Sequence, residues 1–451
     1  MAIAAAAMIE AGDVEAAQSQ IVDRLRDRPE DPARWAEAGF FLQHIGNDAD
    51  ALGCLERAWA LGGRDIRIPY YLGLASRSLG LPAEAEGYFR QALALDDRYG
   101  DAWQHLGVTL AHQGRFADAV ICLEQARSRL DDPSGLGDRI WRTRFQAGDW
   151  SEAWRLCEES LPADLDERWR QTHGTGHRRW RGEPLGGQEI VLFSHGGNGD
   201  TIHYFRYLDH LLAAGPDRIT LLVQPALIPL LRASPVCART GGERIRVLPA
   251  DAALEDRPGY FMWFEGLAMV YRARPGGEPP QRPYLAAAPE RAAFWAERLG
   301  GSGTRIGLVW RGSPAMPEDH WRSIPLDQFR PLFETAGCRW FALQQGGLSD
   351  EERLILAQGR VTDLSTALTD FAEAAAIFAN LDLIVTIDSA PAHLGGALGR
   401  PTWMLNRATS EWRWGWRPAG SFWYPAMRIF NQDQLGDWAP VIAAVQKALV
   451  A

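Results

Sequence analysis

Two short polar clusters, each placed directly after an apolar run, are where this chain could do chemistry. In "VLFSHGGNGD", Gly196, Gly197 and Gly199 would let the backbone approach a ligand and expose its amides, and Asp200 opens a helix. A carboxylate at that place is either a helix cap or a general base at the edge of a crevice. His195 and His203 are candidates for the same role or for contacts to an acceptor. The segment has no GxGxxG, so it is not a dinucleotide fingerprint.

The second cluster is "TIDSAPAHLGGALGRP", after the run "LDLIVTI". Asp388 and Ser389 fall at the carboxyl end of a buried strand, and Pro391 suits the first turn of a short helix that "GRP" stops. Gly395 and Gly396 inside that helix cost about 1 kcal/mol each relative to Ala, a cost offset by close approach of a ligand or of another backbone. The helix start offers free amides and partial positive charge to an anion, with His393 in reach of it.

Further candidates follow other apolar runs. "GLVWRGSPAMPEDHWRSIPL" delivers Arg311, Ser313, His320, Arg322 and Ser323 on a polar loop. Arg suits bidentate phosphate contacts, or pairs with Asp319 or Glu318. Gln344, ending "RWFALQ", could contact a base or ribose. Trp412, Trp414, Trp416 and Trp423, interleaved with Arg413 and Arg417, could stack on a sugar or base, or could pack a core. His173 and His177 have a metal-like step but no accompanying ligand pair, and no metal site is expected.

The elements that must position these clusters alternate. From Glu189 onward "EIVLFS", "RITLLVQ", "TRIGLVW", "RWFALQ", "LDLIVTI" and "TWML" read as buried strands separated by helical stretches, the pattern of parallel sheets covered on both faces. Two α/β lobes with a crevice between them are expected, over residues 188–300 and 301–451, each ending its strands at that crevice. Residues 161–187, mixed in Gly, Pro and charge, read as a linker with one short helix.

The first third, residues 1–160, is periodic. Gly12, Gly46, Gly80, Gly114 and Gly148 are 34 residues apart, as are Ala17, Ala51, Ala85, Ala119 and Ala153. Shorter columns hold Gly39, Gly73 and Gly107; Leu55, Phe89 and Leu123; and Ala58, Ala92 and Ala126. That period with small residues at fixed offsets resembles the tetratricopeptide repeat, a helical hairpin unit stacked into a solenoid with a concave partner-binding face. A net charge of −10 argues against a nucleic-acid or anionic-membrane binder. Five scattered cysteines without a CxxC pair, no membrane-length apolar run and no basic leader fit a cytoplasmic chain.

Taken in order, "GGNGDTIHYFRY", "GLVWRGSP…RSIPL", "FALQ", "DLIVTIDSAPAHLGGALGRPTWML" and "WRW…WYPAMRIF" resemble bacterial tetratricopeptide-repeat proteins fused to a GT-B-type glycosyltransferase domain. The second half is similar, more distantly, to heptosyltransferases, and the architecture to protein O-GlcNAc transferases; some relatives of the fused type modify flagellin. The resemblance implies an all-α solenoid followed by a GT-B fold of two Rossmann-like lobes. It implies metal-independent, inverting transfer from a nucleotide-sugar co-substrate, no other cofactor, and an acceptor protein on the repeats. Asp200 would be the base, with His195 beside it. Gly197, Asn198, Gly199 and His203 would form the acceptor-side loop. Arg311, Ser313, Arg322, Gln344, Asp388, Ser389, His393, Gly395 and Gly396 would hold the donor. Alternatives are a scaffold whose GT-B domain binds without turnover, and a transferase acting on lipid or polysaccharide.

Overall fold

The computed structural model describes residues 14–450 apart from 161, 175, 241–243, 256–257, 278–281 and 317–318. Gly12 and Glu318 therefore lie outside the described residues. The chain divides into two compact units, Met1–Ser160 and Leu161–Ala451.

The first unit is helical hairpins, and the repeat columns explain its packing. Gly46, Gly80, Gly114 and Gly148 have φ of 78°, 75°, 78° and 81°, the left-handed turn that lets each helix pair reverse. The second glycine column makes room for the side chain sixteen residues on. A Cβ at Gly39 would lie 2.4 Å from Leu55, at Gly73 2.6 Å from Phe89, and at Gly107 2.8 Å from Leu123. Leu55, Phe89 and Leu123 are buried there, beside the equally buried alanines Ala58, Ala92 and Ala126. Trp35 and Trp103, in one phase of the period, each donate an indole N–H to the carbonyl six residues earlier, Pro29 and Asp97.

The second unit holds two parallel sheets. Strands β1 (His177–Arg179), β2 (Glu189–Phe193), β3 (Arg218–Val223), β4 (Ile245–Pro249) and β5 (Gly259–Trp263) form the first, in the order β1-β5-β2-β3-β4. Strands β6 (Thr304–Val309), β7 (Cys338–Ala342), β8 (Thr362–Asp363), β9 (Leu383–Ile387), β10 (Thr402–Asn406) and β11 (Met427–Asn431) form the second, in the order β11-β10-β9-β6-β7-β8. Each order reverses direction once, between β2 and β5 and between β6 and β9. Such switch points open a crevice at the carboxyl ends of the strands, where ligands of doubly wound sheets sit. The expected α plus α/β class, with two Rossmann-like lobes, is what the chain adopts.

One expectation is corrected. The one short helix expected in residues 161–187 is there, Pro162–His173, but the segment is not a linker, because His177–Arg179 pairs in parallel with β5. Trp169 stacks on Phe261 of β5 with ring centroids 4.7 Å apart and planes 6° from parallel, and it is buried. That apolar contact, with Arg179 paired to Asp166, ties the segment into the sheet.

Candidate active site

The two switch points supply four strand-end loops. β2 runs into Ser194–Gly197 and the helix Asn198–Tyr204; β5 runs into the helix Phe264–Val270; β9 runs into the helix Ala390–Ala397; β6 runs into the Arg311 loop. The β2 loop is pinned by side chains. Gln224 Nε2 donates to Ser194 Oγ at 2.7 Å and to the Gly196 carbonyl at 2.9 Å, and Thr201 donates to Gln224 Oε1.

Asp200 sits at the third position of its helix rather than at the cap, and its Oδ2 accepts from the Gly197 amide at 2.8 Å. Its Oδ1 accepts from Arg413 Nη1, a direct ion pair between a residue of the first lobe and one of the second. Arg413 Nε also donates to Glu411 at 3.0 Å. Burial pushes the Asp200 carboxyl up, but Arg413 and the Gly197 amide outweigh it and hold the group below the usual carboxylate range.

Gly196 and Gly199 of the β2 loop face protein, while Gly197 is exposed. A Cβ at Gly199 would lie 2.9 Å from the His393 ring and 3.3 Å from Ala390, so this glycine is the contact between the two strand-end helices. A Cβ at Gly196 would lie 2.4 Å from Asp200 Oδ2 and 2.6 Å from Glu265 Oε1. Asn198 Oδ1 is buried without a hydrogen-bond partner, while His195 is exposed on the loop.

His203 does not line an acceptor surface. It is fully buried, and its Nδ1 lies 3.0 Å from Tyr424 Oη. His393 is also buried, with Nδ1 2.9 Å from the same phenol and its ring stacked on Trp414. Burial keeps both imidazoles neutral, well below their ordinary pKa; Arg206 reinforces this at His203 and Arg413 at His393. A phenol carries one proton and can donate to one ring at a time, so at least one of these histidines carries its proton on Nδ1. Arg206 completes the cluster through carbonyls and a ring. It donates to the carbonyls of His203 and Trp423 at 2.8 and 3.0 Å and lies 4.5 Å from the Tyr424 ring centroid.

On the donor side the expected residues divide. Arg322 donates to the Asp388 carbonyl at 3.1 Å, joining the β6 loop to the end of β9, and pairs with Asp319 at 2.7 Å, as one of the two readings of this loop had it. Ser389 stands at the N-cap of the Ala390–Ala397 helix, but its hydroxyl donates back to the Ile387 carbonyl at 3.4 Å and does not cap the helix amides. Burial raises the Asp388 carboxyl and Arg413 opposes the rise. Ser313 is exposed on its loop.

Four other residues expected on the donor side are engaged within the protein. Gln344 is buried, and its amide is spent on its surroundings: Oε1 accepts from Trp310 and Arg311 amides, and Nε2 donates to the Arg311 and Gln345 carbonyls. Arg311 pairs with Glu352 at 3.1 Å and with the Gly347 carbonyl. Gly395 and Gly396 offset their helix cost by admitting side chains, not a ligand. A Cβ would meet Thr402 Oγ1 at 2.4 Å and the Tyr424 ring at 2.3 Å. Trp412, Trp414 and Trp423 are buried, which answers to their packing reading.

Reasoning from sequence missed Glu265, Arg206 and Tyr424, and it did not join Arg413 to Asp200. Glu265 follows β5 by two residues, so strand order could have flagged it as a switch-point side chain. Among the described residues no group of three or more His, Cys, Asp or Glu is placed to hold a metal, and no helix is long and apolar enough to cross a membrane.

Comparison with known proteins bears on the same segments. Residues 350–425, which include the Asp388–His393 segment, Arg413 and Tyr424, match the model of glycosyltransferase family 9 (heptosyltransferase), and residues 77–135 match a tetratricopeptide repeat model. The chain carries tetratricopeptide repeats and a glycosyltransferase family 9 domain. Its chemistry is glycosyl transfer. It is 26% identical to Protein FlbA of Caulobacter vibrioides over 446 residues, 94% of this chain and 73% of that protein. It is 36% identical to the probable biofilm formation methyltransferase WspC of Pseudomonas aeruginosa over 78 residues, 17% of this chain and 18% of WspC. The crystal structure of MamA is similar at 21% identity and a TM-score of 0.34, covering 36% of this chain and 96% of MamA.

Proposed function

We propose that this glycosyltransferase moves a sugar, with inversion and without a metal, from a nucleotide-sugar to a protein acceptor recruited by the repeats. The observation that carries the reading is the meeting of the two switch-point loops, where Asp200 pairs with Arg413 and Gly199 abuts the start of the Ala390–Ala397 helix. In this reading Asp200 takes the proton of an acceptor hydroxyl, and the freed oxygen attacks the anomeric carbon in a single displacement. The diphosphate leaves with the electron pair of the broken bond. Its charge is met by the amides at Ala390, by Arg322 and by the polar edge of His393. Asn198 and His195 stand on the acceptor side, and Ser313 on the donor side.

The reaction is placed in a reducing cytoplasm, in keeping with five free cysteines, and flagellin is the acceptor protein to try first. The test is a panel of nucleotide-sugars, read by donor hydrolysis and by transfer to flagellin, for the native protein and Asp200→Asn. Turnover of one donor, lost in the variant with donor binding intact, supports the assignment. Binding without hydrolysis or transfer would make the domain a scaffold, and full turnover by Asp200→Asn would remove Asp200 as the base.

A further inference from the structure

Glu265 sits at the carboxyl end of β5, the strand next to β2 at the switch point, and it is the first lobe's second carboxylate there. Its Oε1 and Asp200 Oδ2 occupy the same face of Gly196, each within 2.6 Å of the point a Cβ would take. Its Oε2 is buried and has no hydrogen-bond partner. Asp200, by contrast, has both oxygens committed, one to Arg413 and one to the Gly197 amide. A carboxylate stabilised in that way is a poor place to leave a proton, whereas an unpartnered buried carboxylate oxygen is costly while charged.

We propose that Asp200 and Glu265 act as one carboxylate pair, with Glu265 as the positioning partner that holds the proton Asp200 receives. The proposal rests on Asp200 being the base. In the step, the acceptor O–H bond breaks and its electron pair forms the bond to the anomeric carbon. The proton passes to Asp200 and rests on Glu265, and the bond from the anomeric carbon to the diphosphate oxygen breaks with its electrons on the leaving group. The proton is lost to water before the next turnover.

The groups around Glu265 fit this division of labour. Asp200 and Tyr204 face it from the Asn198–Tyr204 helix and Arg413 from the second lobe, with His203, Arg206 and Tyr207 on the same packed elements. Burial first, and the Asp200 charge second, push the Glu265 carboxyl up to about 7. That puts its charge change within the working range of an enzyme at neutral pH.

Infrared difference spectra between pH 8 and pH 5, on the full chain without substrate, test the pair directly. The native protein should show the carbonyl band of one protonated carboxylic acid titrating near pH 7, a band absent from Glu265→Gln. In Asp200→Asn the midpoint should fall by about one pH unit or more, because the neighbouring negative charge is gone. If Glu265→Gln does not fold, the Asp200→Asn shift decides alone. A native band that titrates only with ordinary carboxylates, or a midpoint unmoved in Asp200→Asn, overturns the proposal. Because no donor is needed, this outcome is independent of whether the panel of nucleotide-sugars finds turnover.

Discussion

Arg413 of the second lobe is bonded to Asp200 of the first, and the same guanidinium reaches back to Glu411 on its own loop. Arg413→Ala would leave both carboxylates without their cation in a site where Asp200 is 24% exposed. Urea unfolding at pH 7 should lose about 2 kcal/mol, less than a fully buried pair would because solvent screens part of the charge. Asp200 has a lowered folded pKa, so its contribution is present above the unfolded carboxylate range and disappears as pH falls through the folded value. Native and variant stabilities should therefore converge on acidification, and a constant gap would show that the pair is not the cause.

Glu265 has the opposite sign. Its folded pKa of about 7 lies above the unfolded value, so its protonated form contributes stability below the unfolded range and loses it as pH rises through 7. Glu265→Gln removes that dependence. Relative to the native chain it should gain on the order of 3 kcal/mol between pH 5 and pH 8, as read from urea midpoints at the two values. Equal differences at both pH values would place Glu265 outside the proton balance.

Gly396→Ala would place a methyl 2.3 Å from the Tyr424 ring, which is fully buried and cannot step aside. A loss of about 2 kcal/mol is expected from overpacking, with donor binding weakened as well because Tyr424 fixes His393. Thermal unfolding and nucleotide titration read the two effects. If the glycines served only a ligand, stability would not change.

In the repeats, Gly73→Ala collides with Phe89, and Phe89→Ala opens a cavity. The single changes should cost about 1–3 and about 3–5 kcal/mol. The double variant should cost clearly less than both together, since the new methyl enters the space the ring vacates. Additive losses in a double-mutant cycle would mean the two positions do not share that space.

The regular parts of this molecule were legible because they repeat a local rule. Left-handed turns at Gly46, Gly80 and Gly114 mark the sequence every 34 residues, and buried strands read as apolar runs that stop at the polar clusters holding Asp200 and Asp388. What could not be read depends on distant pairings. Glu265 lies inside "MWFEGLAM", which carries no polar pattern, and only the adjacency of β5 to β2 gives it meaning. His203 and Gln344 are polar residues near strand ends, yet each is consumed by partners far along the chain. Nothing local says whether such a side chain turns to solvent or to a buried tyrosine. The three-residue β1 is too short to produce a period at all.

That short strand decides where the chain can be cut. β5 leads into Glu265, two residues past its end, and is buried along its whole length, "GYFMW". A fragment begun at residue 188, where the mixed composition ends, would strip away β1 and Trp169 and turn this apolar strand into an open edge, a template for aggregation. A fragment begun at Leu161 keeps the cover on β5. The catalytic half thus starts with residues that look like spacer, and anyone trimming, fusing or shuffling it should treat them as its hem.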